Sequence, residues 1–324
     1  MIGSRALVAA LSISIGLSSI AWADEGGVSF WLPGLYGSFA ATPTEPGWSW
    51  ATLYYHSSVD AGADQAFPRG GRGRVSLGVS GRADIVAFGP TYTFATPLLG
   101  AQFSLSLLGL GGRSEASADV TLTGPRGNTL SGSRTDTLTG FGDLLPQATL
   151  KWNKGVNNYM AYVTGDIAVG AYDASRLANL GIGHGAIDAG GGYTYFNPQT
   201  GREASAVLGF TYNFENPDTD YQNGVDLHID WGAAQFLNER LFVGAAGYYF
   251  QQITGDSGEG ATLGDFKSRV AGVGPQVGYL FPIGDKVQGA LSAKAYWEFA
   301  AQNRPEGWNF WLTFAVSPAA PKKE

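Results

Sequence analysis

Three polar residues at two-residue spacing, Asp226, His228 and Asp230, form the pattern in this sequence with the widest range of possible chemistry. A carboxylate–imidazole–carboxylate series on one face of a strand could bind a metal ion, serve as a base, contact a solute or form a hydrogen-bonded network. The only other histidines, His56 and His184, are far from His228 along the chain. A site built from several histidines is therefore not indicated, and we expect a polar network or a solute contact.

The segment that carries these residues is one of about twelve with period-two alternation. In residues 203–214 the even positions, from Ala204 to Phe214, are mostly apolar and end in aromatic residues. The odd positions of the same segment, from Glu203 to Asn213, are mostly small or polar. Such alternation predicts strands with one apolar and one polar face, and it places Asp226, His228 and Asp230 together on a polar face.

The spacing of these segments indicates how the strands are connected. We predict strands near residues 48–56, 83–94, 101–111, 141–152, 158–170, 185–196, 203–214, 225–235, 241–250, 269–281, 287–297 and 308–316. Short turns then alternate with longer loops at residues 57–82, 112–140, 171–184, 215–224, 251–268 and 298–307. Short periplasmic turns and long extracellular loops are typical of outer-membrane barrels. The sequence thus predicts an all-β fold, a transmembrane antiparallel up-and-down β-barrel of about 12 strands at residues 48–316.

Aromatic residues and the overall composition agree with a barrel. Aromatic pairs such as Trp48 and Trp50, and the run Tyr248 to Phe250, lie near segment ends, as expected for girdles at the two membrane interfaces. The chain has 48 glycines, 15% charged residues and a mean hydropathy of −0.04, the average expected from one apolar and one polar face. The expected location is the bacterial outer membrane, with its lipid as a partner.

The ends of the chain are predicted to lie outside the barrel. Residues 1–23 have one positive charge, an apolar core and the motif Ala21-Trp22-Ala23, as in a signal peptide cleaved before Asp24. Residues 317–324 form a C-terminal tail after the last strand. Barrel-assembly machinery is an expected partner, although this tail means that the terminal aromatic residue, Phe314, is not the last residue. With a net charge of −7 and a pI near 5.0, nucleic acid is not an expected partner.

Residues 24–47 precede the first strand and are too apolar for a free tail in water and too rich in Gly and Pro for a helix. We expect this segment to fold back into the lumen as a plug. The alternative is a segment that lies against the periplasmic rim of the barrel. The plug candidates are Phe30, Trp31, Leu32, Pro33, Tyr36 and Phe39.

Other charged residues are predicted to point inward by the same alternation. They are Lys151, Asp166, Asp188, Glu203 and Lys294. Since an unpaired buried charge is costly, we expect some of them to pair with each other or with the series on residues 226–230. All eight charged or titratable residues are candidates for a solute path, and no cofactor or metal is expected.

Several motifs resemble those of the outer-membrane proteins named for the meta-pathway of phenol degradation, a family of channels. The motifs are Val28-Ser29-Phe30-Trp31-Leu32-Pro33-Gly34, Gly140-Phe141-Gly142-Asp143-Leu144, Tyr162-Val163-Thr164-Gly165-Asp166, Leu177-Ala178-Asn179-Leu180-Gly181, Gly183-His184-Gly185-Ala186-Ile187-Asp188, Tyr193-Thr194-Tyr195-Phe196-Asn197-Pro198, Asn216-Pro217-Asp218-Thr219-Asp220-Tyr221 and Arg304-Pro305-Glu306-Gly307-Trp308-Asn309. The resemblance covers nearly all of the chain after residue 23, and it implies uptake of phenol-like compounds.

The function expected from the sequence is therefore passive uptake of small hydrophobic or aromatic compounds, without enzymatic activity. Two alternatives stay open. One is a lipid-acting hydrolase of the outer membrane with His228 or His184 as the base, although the sequence lacks cysteine and contains neither Gly-x-Ser-x-Gly nor His-Glu-x-x-His. The other is a structural barrel that transports nothing.

Overall fold

A computed structural model describes residues 29–69, 73–123, 128–261 and 267–320. The predicted signal peptide lies outside these residues. The described strands are β1 (Gly47–Arg69), β2 (Gly73–Thr93), β3 (Gln102–Thr123), β4 (Thr129–Lys154), β5 (Asn157–Asp166), β6 (Ala186–Asn197), β7 (Arg202–Asn213), β8 (Asp226–Phe236), β9 (Leu241–Gln252), β10 (Arg269–Ile283), β11 (Val287–Gln302) and β12 (Glu306–Pro318). Within the described ranges, no helix is long and apolar enough to cross a membrane.

These twelve strands form one closed antiparallel barrel in chain order, and β1 pairs with β12 to close it. The predicted barrel of about twelve strands is confirmed. The alternation explains the wall: along β7 every odd residue from Glu203 to Asn213 faces inward and every even residue is exposed. Leu208, Phe210 and Tyr212 are exposed on the outer face, as are apolar residues of the other strands. An apolar outer face of this kind belongs in lipid, and the chain is an outer-membrane barrel.

The first four strands are longer than predicted. Residues 57–82 and 112–140, which we expected to be loops, lie mostly in β1–β4, whose pairing continues from Ala61 to Arg69 in β1 and up to Thr123↔Thr129 between β3 and β4. Residues 298–307 are also mostly strand, because β11 ends at Gln302 and β12 begins at Glu306. The loop predictions were wrong because these strand ends have no alternation of apolar and polar residues. In residues 129–137 of β4, for example, both faces carry mostly polar residues.

The two ends of the barrel differ. At the turn end, which holds Gly47 and Pro318, the connections between strands are short. At the loop end, the connections are longer, and their described residues at 167–185, 214–225, 253–261 and 267–268 bind one another and the strands. Asp143 of β4, for example, accepts hydrogen bonds from Gly170 N at 2.7 Å and Ile182 N at 2.9 Å. These loops therefore have defined positions above the lumen wall.

Aromatic side chains fill much of the lumen, and this corrects one prediction. Tyr248 and Phe250, expected in an outer girdle, are 2% and 0% exposed and face inward, whereas Tyr249 between them faces outward. Together with Tyr162, Tyr296 and Trp311 they form the buried core of the barrel. An aromatic residue near a strand end belongs to a girdle only if its position in the alternation is outward.

Candidate lumen site

The described part of the N-terminal segment, residues 29–46, lies inside the barrel and leads to β1 at the turn end. We call it the lumen segment. Its backbone or side chains contact inward-facing side chains of β3 to β11, as described below, and Trp31 in it is 2% exposed. Of the other plug candidates, Pro33 is buried, and Phe30, Leu32, Tyr36 and Phe39 are half-buried.

Asp230 and Lys294 hold one turn of the lumen segment from two sides. The Asp230 carboxylate accepts hydrogen bonds from Gly34 N at 2.9 Å and Tyr36 N at 3.3 Å. Lys294 Nζ donates to the carbonyl oxygens of Gly34, Leu35 and Tyr36 at 2.7, 3.0 and 3.1 Å. The carboxylate thus accepts hydrogen bonds from N–H groups and the ammonium group donates to carbonyl oxygens, so both charges are compensated by backbone dipoles.

Further anchors follow along the segment toward the turn end. Phe39 N donates to Glu203 Oε1 at 2.8 Å and to Ser205 Oγ at 3.0 Å, and Ser205 Oγ also donates to Glu203. Ala41 N donates to Thr194 Oγ1 at 3.0 Å. Lys151 Nζ donates to the carbonyl oxygen of residue 42 at 3.1 Å. These side chains come from β4, β6 and β7, so the segment is fixed to a large part of the wall.

Glycines let the segment lie close to the wall. Gly34 has φ +87°, a conformation that residues with a Cβ rarely adopt, and a Cβ there would lie 2.8 Å from the ring of Tyr296. Gly232, the next inward position of β8 after Asp230, faces the segment directly: a Cβ on it would lie 2.6 Å from Ser38 N. At these two positions the lumen segment and the wall lie so close together that neither glycine can carry a side chain without displacing its neighbour.

A second cluster lies around His228. Its Nε2 is 2.9 Å from Asp188 Oδ2, and Thr211 Oγ1 donates to the same oxygen at 2.7 Å. The hydroxyl of Tyr162 is 3.4 Å from His228 Nε2. The indole of Trp31 stacks on the imidazole, with ring centroids 3.6 Å apart and an angle of 14° between the planes. We call Trp31, Tyr162, Asp188, His228 and Thr211 the aromatic cluster.

The wall behind this cluster also depends on glycine. A Cβ on Gly209 would lie 2.1 Å from the Tyr162 hydroxyl and 2.5 Å from His228 Nε2, and one on Gly190 would lie 2.7 Å from the same hydroxyl. In the sequence these glycines sit inside strand patterns. Their structural reason is the close approach of Tyr162 and His228 to the backbone of β6 and β7.

The predicted site residues separate into groups. His228, Asp188 and Asp230 lie along one stretch of the lumen, and Asp226 accepts a hydrogen bond from Asn213 at 3.1 Å. Asp166 is also buried, at the end of β5. Within this predicted set, His228 contacts Asp188, with Nε2 2.9 Å from Oδ2. The other charges at 151, 203, 230 and 294 bind the lumen segment, so the expected mutual pairing is mostly replaced by pairing with the segment.

The sequence reasoning did not select Tyr162 or Tyr296 as lumen residues. A signal was present, because Tyr162 has the same position in the alternation as Asp166, and Tyr296 the same as Lys294. Counting by two from each inward charge finds both. Within the described ranges, no group of three His, Asp or Glu side chains is arranged to hold a metal ion.

Comparisons with known proteins agree with the barrel. A crystal structure of the COG4313 outer membrane channel from Pseudomonas putida F1 aligns with a TM-score of 0.56 at 16% identity, over 87% of this chain and 98% of that one. A Pseudomonas aeruginosa FadL homologue (TM-score 0.36, 8% identity, 84% of this chain and 89% of that one) and the transport unit of the Escherichia coli autotransporter AIDA-I (0.42, 11%, 84% and 90%) are more distant. The first comparison shows that the two proteins share a fold, whereas the other two structures are too dissimilar to support a conclusion.

Comparison of the sequence with models of protein families identifies the family of the chain. A comparison with curated proteins gives no significant match. The model of the family described as "Putative MetA-pathway of phenol degradation" matches residues 63–314, which is most of the barrel. The chain belongs to this phenol-degradation family of outer-membrane barrels.

Proposed function

We propose that this barrel is a channel for the passive uptake of small hydrophobic or aromatic compounds across the outer membrane. The observation that carries the proposal is the lining of the lumen. Aromatic faces from Trp31, Tyr162 and Tyr248 lie beside charges that the lumen segment compensates. An aromatic face suits an uncharged, weakly polar solute.

The compensated charges argue against an ion channel. Asp230 and Lys294 are both hydrogen-bonded to the backbone of residues 34–36, and Glu203 accepts hydrogen bonds from Phe39 and Ser205. A passing ion would have to replace these partners, because a buried charge left without them is costly. A neutral aromatic solute needs no such exchange.

Family membership supports the choice of solute. The family description refers to phenol degradation, and the barrel from Pseudomonas putida F1, which has a similar fold, is described as an outer membrane channel. In this proposal the lumen segment is a plug with a selective role. Its candidates Phe30, Trp31, Leu32, Pro33, Tyr36 and Phe39 lie on the path that a solute would take from the loop end to the turn end.

The hydrolase alternative has less support. A serine hydrolase needs a histidine that can reach the serine hydroxyl. His228 Nε2 instead faces Asp188 and Tyr162, and His184 contacts the carbonyl oxygen of Gly185 at 3.0 Å and Asn223 at 3.4 Å. In the described part of the chain neither histidine is hydrogen-bonded to a serine, and we propose that the protein is not an enzyme.

The test is uptake of labelled phenol, benzoate and glucose into liposomes that contain the refolded mature chain. We expect phenol to enter faster than glucose, and liposomes with unfolded protein give the background. A variant that lacks residues 24–33 removes the first part of the plug while keeping the anchors from Gly34 onward. It should change the uptake rate of phenol at least severalfold.

Two results would contradict the proposal. One is a folded wild-type protein that admits no solute faster than background, which would favour a structural barrel. The other is equal uptake of all solutes in the wild type and in the shortened variant, which would remove any selective role for the segment.

A further inference from the structure

We propose that Trp31 occupies, from within the chain, a binding slot for a hydroxylated aromatic ring, and that such a solute replaces the indole during passage. This inference rests on the proposed channel function and specifies where the solute binds. The slot is the space that the indole now fills beside His228, Tyr162 and Tyr36, whose ring centroids are 3.6, 6.1 and 5.7 Å from that of Trp31.

The first argument is the shape of the slot. The plane of the indole lies at 14° to the ring of His228 and at 29° to the ring of Tyr162, so it covers two neighbouring rings of the wall, an arrangement that accepts a flat aromatic group of similar width. Tyr36 closes a third side and contacts Tyr162, with centroids 5.7 Å apart. Gly209 and Gly190 allow Tyr162 and His228 to lie against the backbone of β6 and β7, which leaves space for the indole in front of them.

The second argument is that the indole satisfies none of the polar groups around it. Among the residues that the structure describes, no hydrogen-bond partner is found for its buried Nε1, for His228 Nδ1 or for Asp188 Oδ1. The three residues are 2%, 1% and 0% exposed. Buried polar atoms are nearly always paired in proteins, so a donor and two acceptors left unpaired in one cluster indicate a place where another molecule completes the bonding.

The chemistry of the unpaired atoms selects the ligand. With Nε2 donating to Asp188, the Nδ1 of a neutral imidazole is an acceptor, and Asp188 Oδ1 is an acceptor as well. A ligand that stacks like Trp31 and also supplies a hydroxyl donor satisfies both the ring faces and one acceptor. A phenol has these features, benzene lacks the donor, and cyclohexanol lacks the flat ring.

The third argument is that Trp31 can leave without unfolding the plug. Among the described residues, no hydrogen bond joins residues 29–33 to a barrel strand; Ser29 Oγ donates to Trp31 O, within the segment. Residues 34–44, in contrast, are bonded to the wall by Asp230, Lys294 and others. One hydrogen bond, from Leu35 N to Leu32 O at 3.2 Å, joins the two parts across Gly34, so in this proposal the indole swings away at Gly34 with the loss of that bond while the anchors to the wall hold.

The experiment is phenol binding by isothermal titration calorimetry to the folded mature chain in detergent micelles. If the indole competes for the slot, Trp31→Ala should bind phenol roughly tenfold more tightly than wild type. The apparent affinity rises because a larger fraction of the protein then has an empty slot that can bind phenol. The control is Trp297→Ala, which removes an indole exposed on the outer face. This variant should match the wild type, and micelle partitioning is the same for both.

Two further probes separate ring stacking from hydrogen bonding. In Trp31→Ala, benzene and cyclohexanol should bind more weakly than phenol, and adding Asp188→Asn should remove most of the preference for phenol over benzene. Equal phenol affinity in the wild type, Trp31→Ala and Trp297→Ala would overturn the inference. So would a Trp31→Ala variant that binds cyclohexanol as well as phenol.

A measurement on wild-type protein covers the case in which Trp31→Ala does not fold. Phenol that displaces Trp31 should increase quenching of tryptophan fluorescence by acrylamide in the wild type and not in Trp31→Phe, and no such difference would overturn the inference. Failure of this proposal is distinct from failure of the channel. If phenol enters the liposomes but Trp31→Ala does not bind phenol more tightly, the channel proposal stands and the slot proposal is wrong. If Trp31→Ala binds phenol more tightly but phenol does not enter, the slot proposal stands and the channel proposal is wrong.

Discussion

The lumen segment consists of two parts that are held in different ways. Residues 34–44 are bound through backbone N–H and carbonyl groups to charged and polar side chains of the wall, among them Asp230, Glu203 and Lys294. Residues 29–33 are held by ring contacts of Trp31 and by packing. Directional bonds fix one part in a single position, and stacking, which is less directional, lets the other part exchange with a similar ring. The difference suggests a fixed base and an exchangeable tip.

The largest effect is expected from Asp230→Ala, which breaks the fixed base. The change leaves the Lys294 ammonium group buried with less compensation and leaves Gly34 N and Tyr36 N without an acceptor. The cost should be about 3–5 kcal/mol of unfolding free energy, measured by urea unfolding in lipid vesicles. Asp119→Ala on an exposed part of β3 is the control, and an Asp230→Ala variant as stable as this control would contradict the role of Asp230 in holding the segment.

A smaller effect is expected from Gly232→Val, which pushes on the base without removing a bond. The new side chain would meet Ser38 N and should displace residues 37–39 at a cost of about 1–3 kcal/mol. Protease cleavage within the lumen segment should become faster. Gly132→Val is the matched control, since a Cβ there meets nothing within 4 Å. Equal cleavage rates in the two variants would show that the segment does not lie against β8.

The smallest effects compare one hydrogen bond in each part. Thr194→Val removes the acceptor for Ala41 N and should cost about 1 kcal/mol. Ser29→Ala removes a bond to Trp31 O that stays within the tip and should change the unfolding free energy by less than about 0.5 kcal/mol. The same urea titration measures both. A Ser29→Ala variant that costs as much as Thr194→Val would mean that the tip is as firmly held as the base.

The barrel could be predicted because a membrane imposes alternation on its strands. In β7 and β8 the alternation correctly gave the inward positions of Glu203, Asp226, His228 and Asp230. It failed where both faces of a strand are exposed, as in residues 129–137 of β4, because strand pairing there leaves no pattern in the residue types. It also misassigned Tyr248, because an aromatic residue is compatible with either face.

The site was only partly predictable. The inward charges were found, but their partners were not, because Gly34 N and Asp230 are 196 positions apart and backbone groups carry no sequence signal. The stack of Trp31 on His228 could not be predicted for a similar reason. Both residues were selected from the sequence, but only the path of the segment through the barrel brings them together.

The position of the lumen segment has a consequence for the order of folding. The segment is joined directly to β1, which closes the barrel by pairing with β12, the last strand in the chain. Residues 34–44 must therefore enter the lumen either before the β1–β12 seam closes or afterwards through the turn end of the barrel. Contacts between the two ends of a chain form slowly because loop-closure entropy opposes them. We therefore expect closure of the β1–β12 seam to be the rate-limiting step of barrel formation, with the lumen segment joined to the strand that closes last.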